Sequence, residues 1–309
     1  MMARALSSSI NGVSDLFGLS RANHLSPSSS SSLRYRPPSA IKMVQTQQTY
    51  WATIESDIET HLKKSIPIRH PVSVFDPMHY LTFAAPRTTA PALCIAACEV
   101  VGGDRAQAMA AAAAIHLVHA AAFTHKNIPL TDRPRPEPIE HKFNPNIELL
   151  TGDGIMPFGL ELVAESMSLG LNNPDRVLRV ITEISQAAGS RGVVEGQFKE
   201  MDISLSEIDV GLIEYVCKKK EGELHSCAAA CGAILGGGNE EEIENLRRYG
   251  LYAGMVQGIL NGVGSKNRKG LQEMVEKLKV LALKEVECFK GNGKFDGILA
   301  WFESELCNV

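Results

Sequence analysis

Residues 173–189 read NPDRVLRVITEISQAAG, and this stretch decides the fold class. Its apolar residues recur three or four positions apart, at Val177, Val180, Ile181, Ile184 and Ala188. That period is helical, whereas a half-buried strand would alternate. Asn173 is a favourable N-cap, Pro174 suits a first helical turn, and Gly189 is a favourable stop. The stretch therefore predicts an amphipathic α-helix.

The same helical period recurs along the rest of the chain. Apolar residues follow helix-start signals at Ser204 and at Asn239, and a further apolar stripe begins near Lys269. Clusters of Pro and Gly separate these segments, at positions 85–91, 133–138, 152–159 and 236–238. Alternating runs of β-branched residues, which would indicate strands, are missing from the sequence. We therefore predict a single all-α domain over residues 46–309, with roughly ten or more helices.

The acidic residues exclude several kinds of partner and site. The 309 residues carry 35 acids and 31 bases, so a net charge of −4 argues against nucleic acid or an anionic membrane as the main partner. No two of the ten Asp are closer than seven positions, which excludes EF-hand loops and sites built from local Asp pairs.

The Ala-rich stretch 106–123 comes nearest to a membrane span. His116 and His119 and the low hydrophobicity of Ala count against it, so we expect no membrane span.

Residues 1–45 differ in composition from the remainder of the chain. They contain twelve Ser and five bases but a single acid, Asp15. A Ser-rich, basic and acid-poor N-terminus is typical of an organelle transit peptide, and the Ser content favours the plastid over the mitochondrion. A generic disordered tail is the alternative. The composition predicts a protein of the plastid stroma.

Four of the seven cysteines form two Cys-x-x-x-Cys units, Cys94–Cys98 and Cys227–Cys231. On a helix, each pair shares one face. The spacing differs from the Cys-x2-Cys of most zinc sites, and an odd total in a reducing compartment argues against a disulfide framework. Two interpretations stay open. The cysteines are either small apolar core residues or a small-residue surface on which another helix or subunit packs.

Several segments together resemble the trans-prenyltransferase (isoprenyl diphosphate synthase) family, over residues 49–286. They are residues 91–103, 119–132, 152–153, 196–197, 215–224 and 246–250. More narrowly, the chain resembles the small-subunit group of the plant heteromeric geranyl diphosphate synthases, which is related to the geranylgeranyl diphosphate synthases. The resemblance implies an isoprenoid-synthase-type helical bundle. In that group the two Cys-x-x-x-Cys units are associated with docking to a catalytic large subunit. It therefore implies that Cys94, Cys98, Cys227 and Cys231 bind that partner.

The chain departs from the family at the residues that bind metal. Active members hold Mg²⁺ with two Asp-rich motifs, and the metal neutralises the leaving diphosphate. At the first motif this chain has Lys126, whose ammonium group offers no acceptor to a metal ion, and only Asp132 remains. At the second motif, residues 256–262 contain no carboxylate. The resemblance thus implies no catalytic residue, no metal and no cofactor in this chain, with Mg²⁺ bound in the partner.

Three residues match positions at which the family binds diphosphates. They are Arg87, His119 and Lys220, whereas a second family Arg is replaced by Ala90. The resemblance implies a catalytically inactive regulatory subunit that pairs with a geranylgeranyl diphosphate synthase large subunit. The pair would then release more of the ten-carbon geranyl diphosphate, for monoterpene biosynthesis. Two alternatives are a weak prenyltransferase that still uses Asp132, Arg87 and His119, and a sensor that binds isopentenyl diphosphate without turnover.

Overall fold

The computed structural model describes residues 38–129, 140–202, 209–262 and 269–289. Asp132, the predicted capping box at Ser204 and most of the predicted transit peptide 1–45 lie outside these residues. The first helix begins at Pro38 and runs through position 45. It therefore starts inside the segment predicted to be disordered, although the described buried side chains of this helix begin only at Trp51.

The described residues form α-helices with short connections. In chain order the helices are α1 (Pro38–Ser65), α2 (Val72–Ala84), α3 (Ala90–Val100), α4 (Arg105–Asn127), α5 (Pro145–Ser168), α6 (Pro174–Ala188), α7 (Val193–Asp202), α8 (Val210–Cys217), α9 (Glu223–Gly236), α10 (Glu240–Asn261) and α11 (Lys269–Glu285). A π-helical turn, Lys218–Gly222, joins α8 to α9. The described ranges contain no strand, which confirms the all-α prediction.

Side-chain caps fix the start of the helices that carry the site. The Asn173 side chain accepts from the backbone N–H of Asp175 at the start of α6, as its sequence predicts. Asn239 and Glu242 form a capping box at the start of α10. Asp104 and Gln107 form another at the start of α4. These caps satisfy backbone groups that the first helical turn leaves without partners.

The Ala-rich helix α4 lies in the centre of the molecule and packs against α3, α5 and α9. Ala111, Ala112, Ala113 and Ala114 are fully buried, because methyl side chains let neighbouring helices approach closely. In the part of the chain that the structure describes, α4 is the one helix long and apolar enough to cross a membrane. Of its most apolar 18-residue stretch, 61% is buried inside the fold, as in the core helix of a protein.

Candidate functional site

The C-terminal end of α4 carries the residues that align with the first Asp-rich motif. Lys126 Nζ lies 2.9 Å from Oε1 of Glu200 on α7. Lys220 Nζ, on the π-helical turn, lies 2.7 Å from Oε2 of the same carboxylate. These three residues, here called the Lys–Glu–Lys triad, tie α4, α7 and the π-helical turn together.

The triad carries a net charge of +1 at the end of α4 that aligns with the first Asp-rich motif. Burial acts to raise the pKa of Glu200, but the ammonium groups of Lys220 and Lys126 outweigh it, and the pKa is held below its usual value. Both carboxylate oxygens already face a cation. The residues present therefore do not fit Mg²⁺. Within the described residues, no group of three or more His, Cys, Asp or Glu side chains could hold a metal ion.

A neutral hydrogen-bonded cluster occupies the position of the second motif on α10. The Thr89 hydroxyl lies 2.8 Å from Oε1 of Gln257 and 3.1 Å from Nε2 of the buried His225. Burial lowers the pKa of His225, so this imidazole is neutral near pH 7. A Cβ added at Gly258 would lie 3.1 Å from a side-chain carbon of Glu221. The three side chains of this cluster carry no carboxylate, the acidic side chain beside it belongs to Glu221 of the π-helical turn, and Gly258 has little space for a side chain.

The three predicted diphosphate-binding residues divide between two places. Nε2 of His119 lies 2.9 Å from the carbonyl oxygen of Pro86, next to Arg87, so these two candidates lie near each other. Arg87 is 83% exposed and lies 3.2 Å from the Glu55 carboxylate. Lys220 belongs instead to the Lys–Glu–Lys triad. Two of the three candidate cations thus already have a carboxylate partner.

The four paired cysteines lie in the interior of the chain. Cys94, Cys98 and Cys231 have no exposed surface, and Cys227 is 3% exposed. Burial raises the pKa of Cys94 and Cys231 well above the usual value, and that of Cys98 to about 12. These four side chains are enclosed by helices of their own chain, so their role in binding a partner stays a prediction, and any such role would act through the packing of α3 and α9.

The two Cys-x-x-x-Cys units instead mark where α3 and α9 pack on each other. A Cβ added at Gly232 would lie 2.0 Å from the carbonyl oxygen of Cys94, and one at Gly236 would lie 2.6 Å from that of Cys98. The helix backbones are therefore in direct contact. Both open interpretations hold: the four cysteines belong to the hydrophobic core, and they mark a small-residue face on which another helix of the same chain packs.

Exposed large apolar side chains occur on three successive helices, which sequence reasoning missed. Val194, Phe198 and Met201 recur at helical spacing on one side of α7. The others, on α5, α6 and their connection, are Leu149, Leu150, Met167, Leu169, Leu171 and Leu178. Exposed apolar side chains that recur on one side of a helix, as on α7, form a candidate contact surface for another protein. The spacing at 194, 198 and 201 was the available signal.

Comparisons with known proteins agree with this fold. The family model described as polyprenyl synthetase matches residues 72–260. A heterodimeric geranylgeranyl pyrophosphate synthase small subunit 2, chloroplastic, from Cannabis sativa is 51% identical over 255 residues, 79% of this chain and 87% of that protein.

Two solved structures are similar along most of their length. The geranyl diphosphate synthase small subunit from Antirrhinum majus has a TM-score of 0.77 and 63% identity, covering 83% of this chain and 98% of that one. A chain of a mint heterotetrameric geranyl pyrophosphate synthase, a deletion mutant in complex with ligands, has a TM-score of 0.72 and 54% identity, covering 81% and 97%. The resemblance drawn from the sequence motifs, and the helical bundle that it implied, are confirmed. The chain belongs to the polyprenyl synthetase family.

Proposed function

We propose that this chain is the catalytically inactive small, regulatory subunit of a heteromeric geranyl(geranyl) diphosphate synthase. It docks on the catalytic large subunit and shifts the product toward geranyl diphosphate for monoterpene biosynthesis. The observation that carries the proposal is the Lys–Glu–Lys triad at the end of α4, where Lys126 stands in place of a metal ligand. The small-subunit names of its relatives support the same assignment.

Inactivity follows from the charges at both motif positions. Prenyl transfer needs the leaving diphosphate to be neutralised, and active members use Mg²⁺ held by carboxylates. Removing one preorganised electrostatic contact in an enzyme typically costs about 3–4 kcal/mol of transition-state stabilisation. This chain has an ammonium group at Lys126, and Gln257 and Gly258 supply no carboxylate on α10. Several such contacts are missing, so the chain alone should show no turnover.

The sensor alternative is less well supported. A diphosphate-binding sensor needs free cations, but Arg87 faces Glu55 and Lys220 faces Glu200. Only His119, of the three candidates, has no carboxylate among its hydrogen-bond contacts, and it faces the carbonyl oxygen of Pro86. The weak-enzyme alternative is also less well supported, because the ammonium group of Lys126 stands where a carboxylate ligand for Mg²⁺ would be needed.

The exposed apolar residues of α5, α6 and α7 are the proposed docking surface for the large subunit. A solved relative is described as heterotetrameric, and another relative in the comparison is named as a large subunit. Docking there would favour those conformations of the large subunit that release a shorter product. The buried Cys-x-x-x-Cys units contribute indirectly, because they set how closely α3 and α9 pack beneath the surface helices.

We also place the complex in the plastid stroma. The relatives are named chloroplastic, and residues 1–45 have the composition of a plastid transit peptide. Mg²⁺ in this proposal belongs to the large subunit. The chain itself holds none.

Copurification with a geranylgeranyl diphosphate synthase large subunit tests the docking. Leu178→Glu on α6 and Phe198→Glu on α7 place a charge on the proposed surface and should weaken copurification at least tenfold. Val280→Glu is the matched control, because Val280 is equally exposed but lies on α11. Equal loss in all three variants, or in none, would contradict this docking surface.

A further inference from the structure

A recess lies at the corner where α6 ends and α7 begins. Its volume is about 300 Å³, and the residues that line it are Ile181, Thr182, Ser185, Gln186, Ser190 and Arg191. This volume is at the lower limit for a pocket that encloses a small-molecule ligand, so the recess suits a single side chain better. The exposed Leu178 lies one helical turn before Thr182, and the exposed Val194 follows Arg191 closely. The recess therefore adjoins the proposed docking surface.

The exposed guanidinium of Arg191 is the charged group of this recess, and no ion pair joins it to another described residue. The other seven arginines that the structure describes each contact a carboxylate, a backbone carbonyl oxygen or an aromatic ring. The carboxylates nearest to Arg191 in the chain already serve other cations. Glu183 lies 2.7 Å from Arg247, and Glu195 lies 2.8 Å from Lys219. The charge of Arg191 is thus left uncompensated within the described part of the chain.

The donors of the recess indicate what it can bind. The hydroxyl groups of Thr182 and Ser185 each donate to the carbonyl oxygen four residues earlier in α6, at 3.0 Å and 2.7 Å. These two hydroxyls can only accept from an occupant, so the donors left are Arg191, Gln186 and Ser190. A guanidinium offers its donors in a planar fork, and the group that matches this fork on a protein is a carboxylate.

The backbone that carries Arg191 is fixed before a partner arrives. Its carbonyl oxygen accepts from Nζ of Lys219, at 2.8 Å. A Cβ added at Gly192 would lie 2.1 Å from the carbonyl oxygen of Ala187, so this turn rests directly on the end of α6. A fixed backbone lowers the entropy that is lost when the guanidinium is ordered against a partner.

We propose that this recess takes an aspartate or glutamate side chain of the large subunit, which pairs with Arg191. The inference rests on the proposed docking and deepens it. Docking covers the recess and excludes water from it, so the pair is stronger than an ion pair exposed to solvent. The pair also fixes the register in which the large subunit docks, which apolar contacts alone specify poorly.

Binding titrations of the full chain with the large subunit test the pair. Arg191→Gln should weaken binding about tenfold, because a hydrogen-bonded charge is lost. The loss should shrink at about 1 M salt, since salt screens the attraction between the two charges. Lys277→Gln is the matched control, because it removes one charge from an exposed cation on α11 that has no carboxylate partner among the described residues. It should leave the affinity unchanged, and both variants should keep the helical circular dichroism.

Carbodiimide cross-linking of the complex identifies the chemistry of the occupant. In Arg191→Lys the new ammonium group can form an amide with a carboxylate that it contacts. Mass spectrometry should find position 191 joined to an Asp or Glu of the large subunit. Binding by Arg191→Lys without such a cross-link would overturn the inference.

Three further results separate this inference from the proposed docking. Full binding by Arg191→Gln, or an equal loss in Lys277→Gln, would overturn the inference alone, provided that Phe198→Glu still weakens binding. A loss in Arg191→Gln that is the same at low and high salt would also overturn it. No binding by the wild type would overturn the proposed docking, and this inference with it.

Discussion

A methyl group at Gly232 should destabilise the chain by forcing α3 and α9 apart. The Cβ of Gly232→Ala would lie 2.0 Å from the carbonyl oxygen of Cys94, 2.9 Å from its carbonyl carbon and 3.0 Å from the backbone nitrogen of Cys98. All three atoms belong to the backbone of α3 and cannot rotate away, as a side chain could. Real Cβ atoms do not approach other heavy atoms within 3.0 Å, so one helix must shift by about 1 Å.

The expected free-energy change combines two opposing terms. Overpacking a close-packed interior costs about 1–3 kcal/mol, and rigid backbone neighbours place Gly232→Ala at the upper end. Ala is a better helix former than Gly by about 1 kcal/mol. The net loss of unfolding free energy should therefore be about 2 kcal/mol, which corresponds to a fall in Tm of roughly 4–8 °C.

Urea and thermal unfolding of two variants measure the packing term directly. Gly154→Ala makes the same substitution inside helix α5, where an added Cβ meets no atom within 4 Å. It should raise the unfolding free energy by about 1 kcal/mol. The difference between the two variants isolates the clash. If Gly232→Ala is as stable as Gly154→Ala, α3 and α9 do not touch at Cys94 and the reasoning is refuted.

Three further perturbations test the interior and the site. Iodoacetamide should modify the exposed Cys288 in the folded chain and leave Cys231 intact, because burial encloses the Cys231 thiol and raises its pKa. Peptide mapping that finds equal modification rates for the two cysteines would contradict the packing. The unfolding free energy should fall as the pH drops below about 6.5, because burial lowers the pKa of His225 in the folded state and the unfolded chain binds more protons. A value that stays constant from pH 8 to pH 5 would count against a buried neutral imidazole. Lys126→Asp should not restore incorporation of isopentenyl diphosphate in the presence of Mg²⁺, since Gln257 and Asn261 still supply no carboxylate. Incorporation above background would show that the second position is not needed.

Helical periods predicted the fold well because they depend on local sequence. The stretch at 173–189 folds as α6, Pro174–Ala188, with the Asn173 cap and the Gly189 stop at the expected ends. Propensity, capping and amphipathic spacing act within one or two turns, so a single sequence contains them. Helix α1 starts at Pro38, eight residues before the predicted domain start at position 46, and residues 38–45 include the apolar Ala40, Ile41, Met43 and Val44.

The partners of the site residues were not predictable in the same way. Lys126 and Glu200 are 74 positions apart, and nothing local to either indicates the other. The spacing of Cys94 and Cys98 places both on one helix face but does not say what covers that face. Gly232 and Gly236 follow Cys231 closely, and they would have indicated a close helix contact. Whether that contact lies within one chain or between two depends on the tertiary arrangement.

The product ratio of the assembled complex tests the proposed function most directly. The large subunit of a geranylgeranyl diphosphate synthase is assayed with isopentenyl and dimethylallyl diphosphates and Mg²⁺, alone and after copurification with this chain. This chain is also assayed alone. We predict no turnover by this chain and a higher share of the ten-carbon product from the complex than from the large subunit. Turnover by this chain alone, or an unchanged ratio of ten-carbon to twenty-carbon product in the complex, would contradict the account.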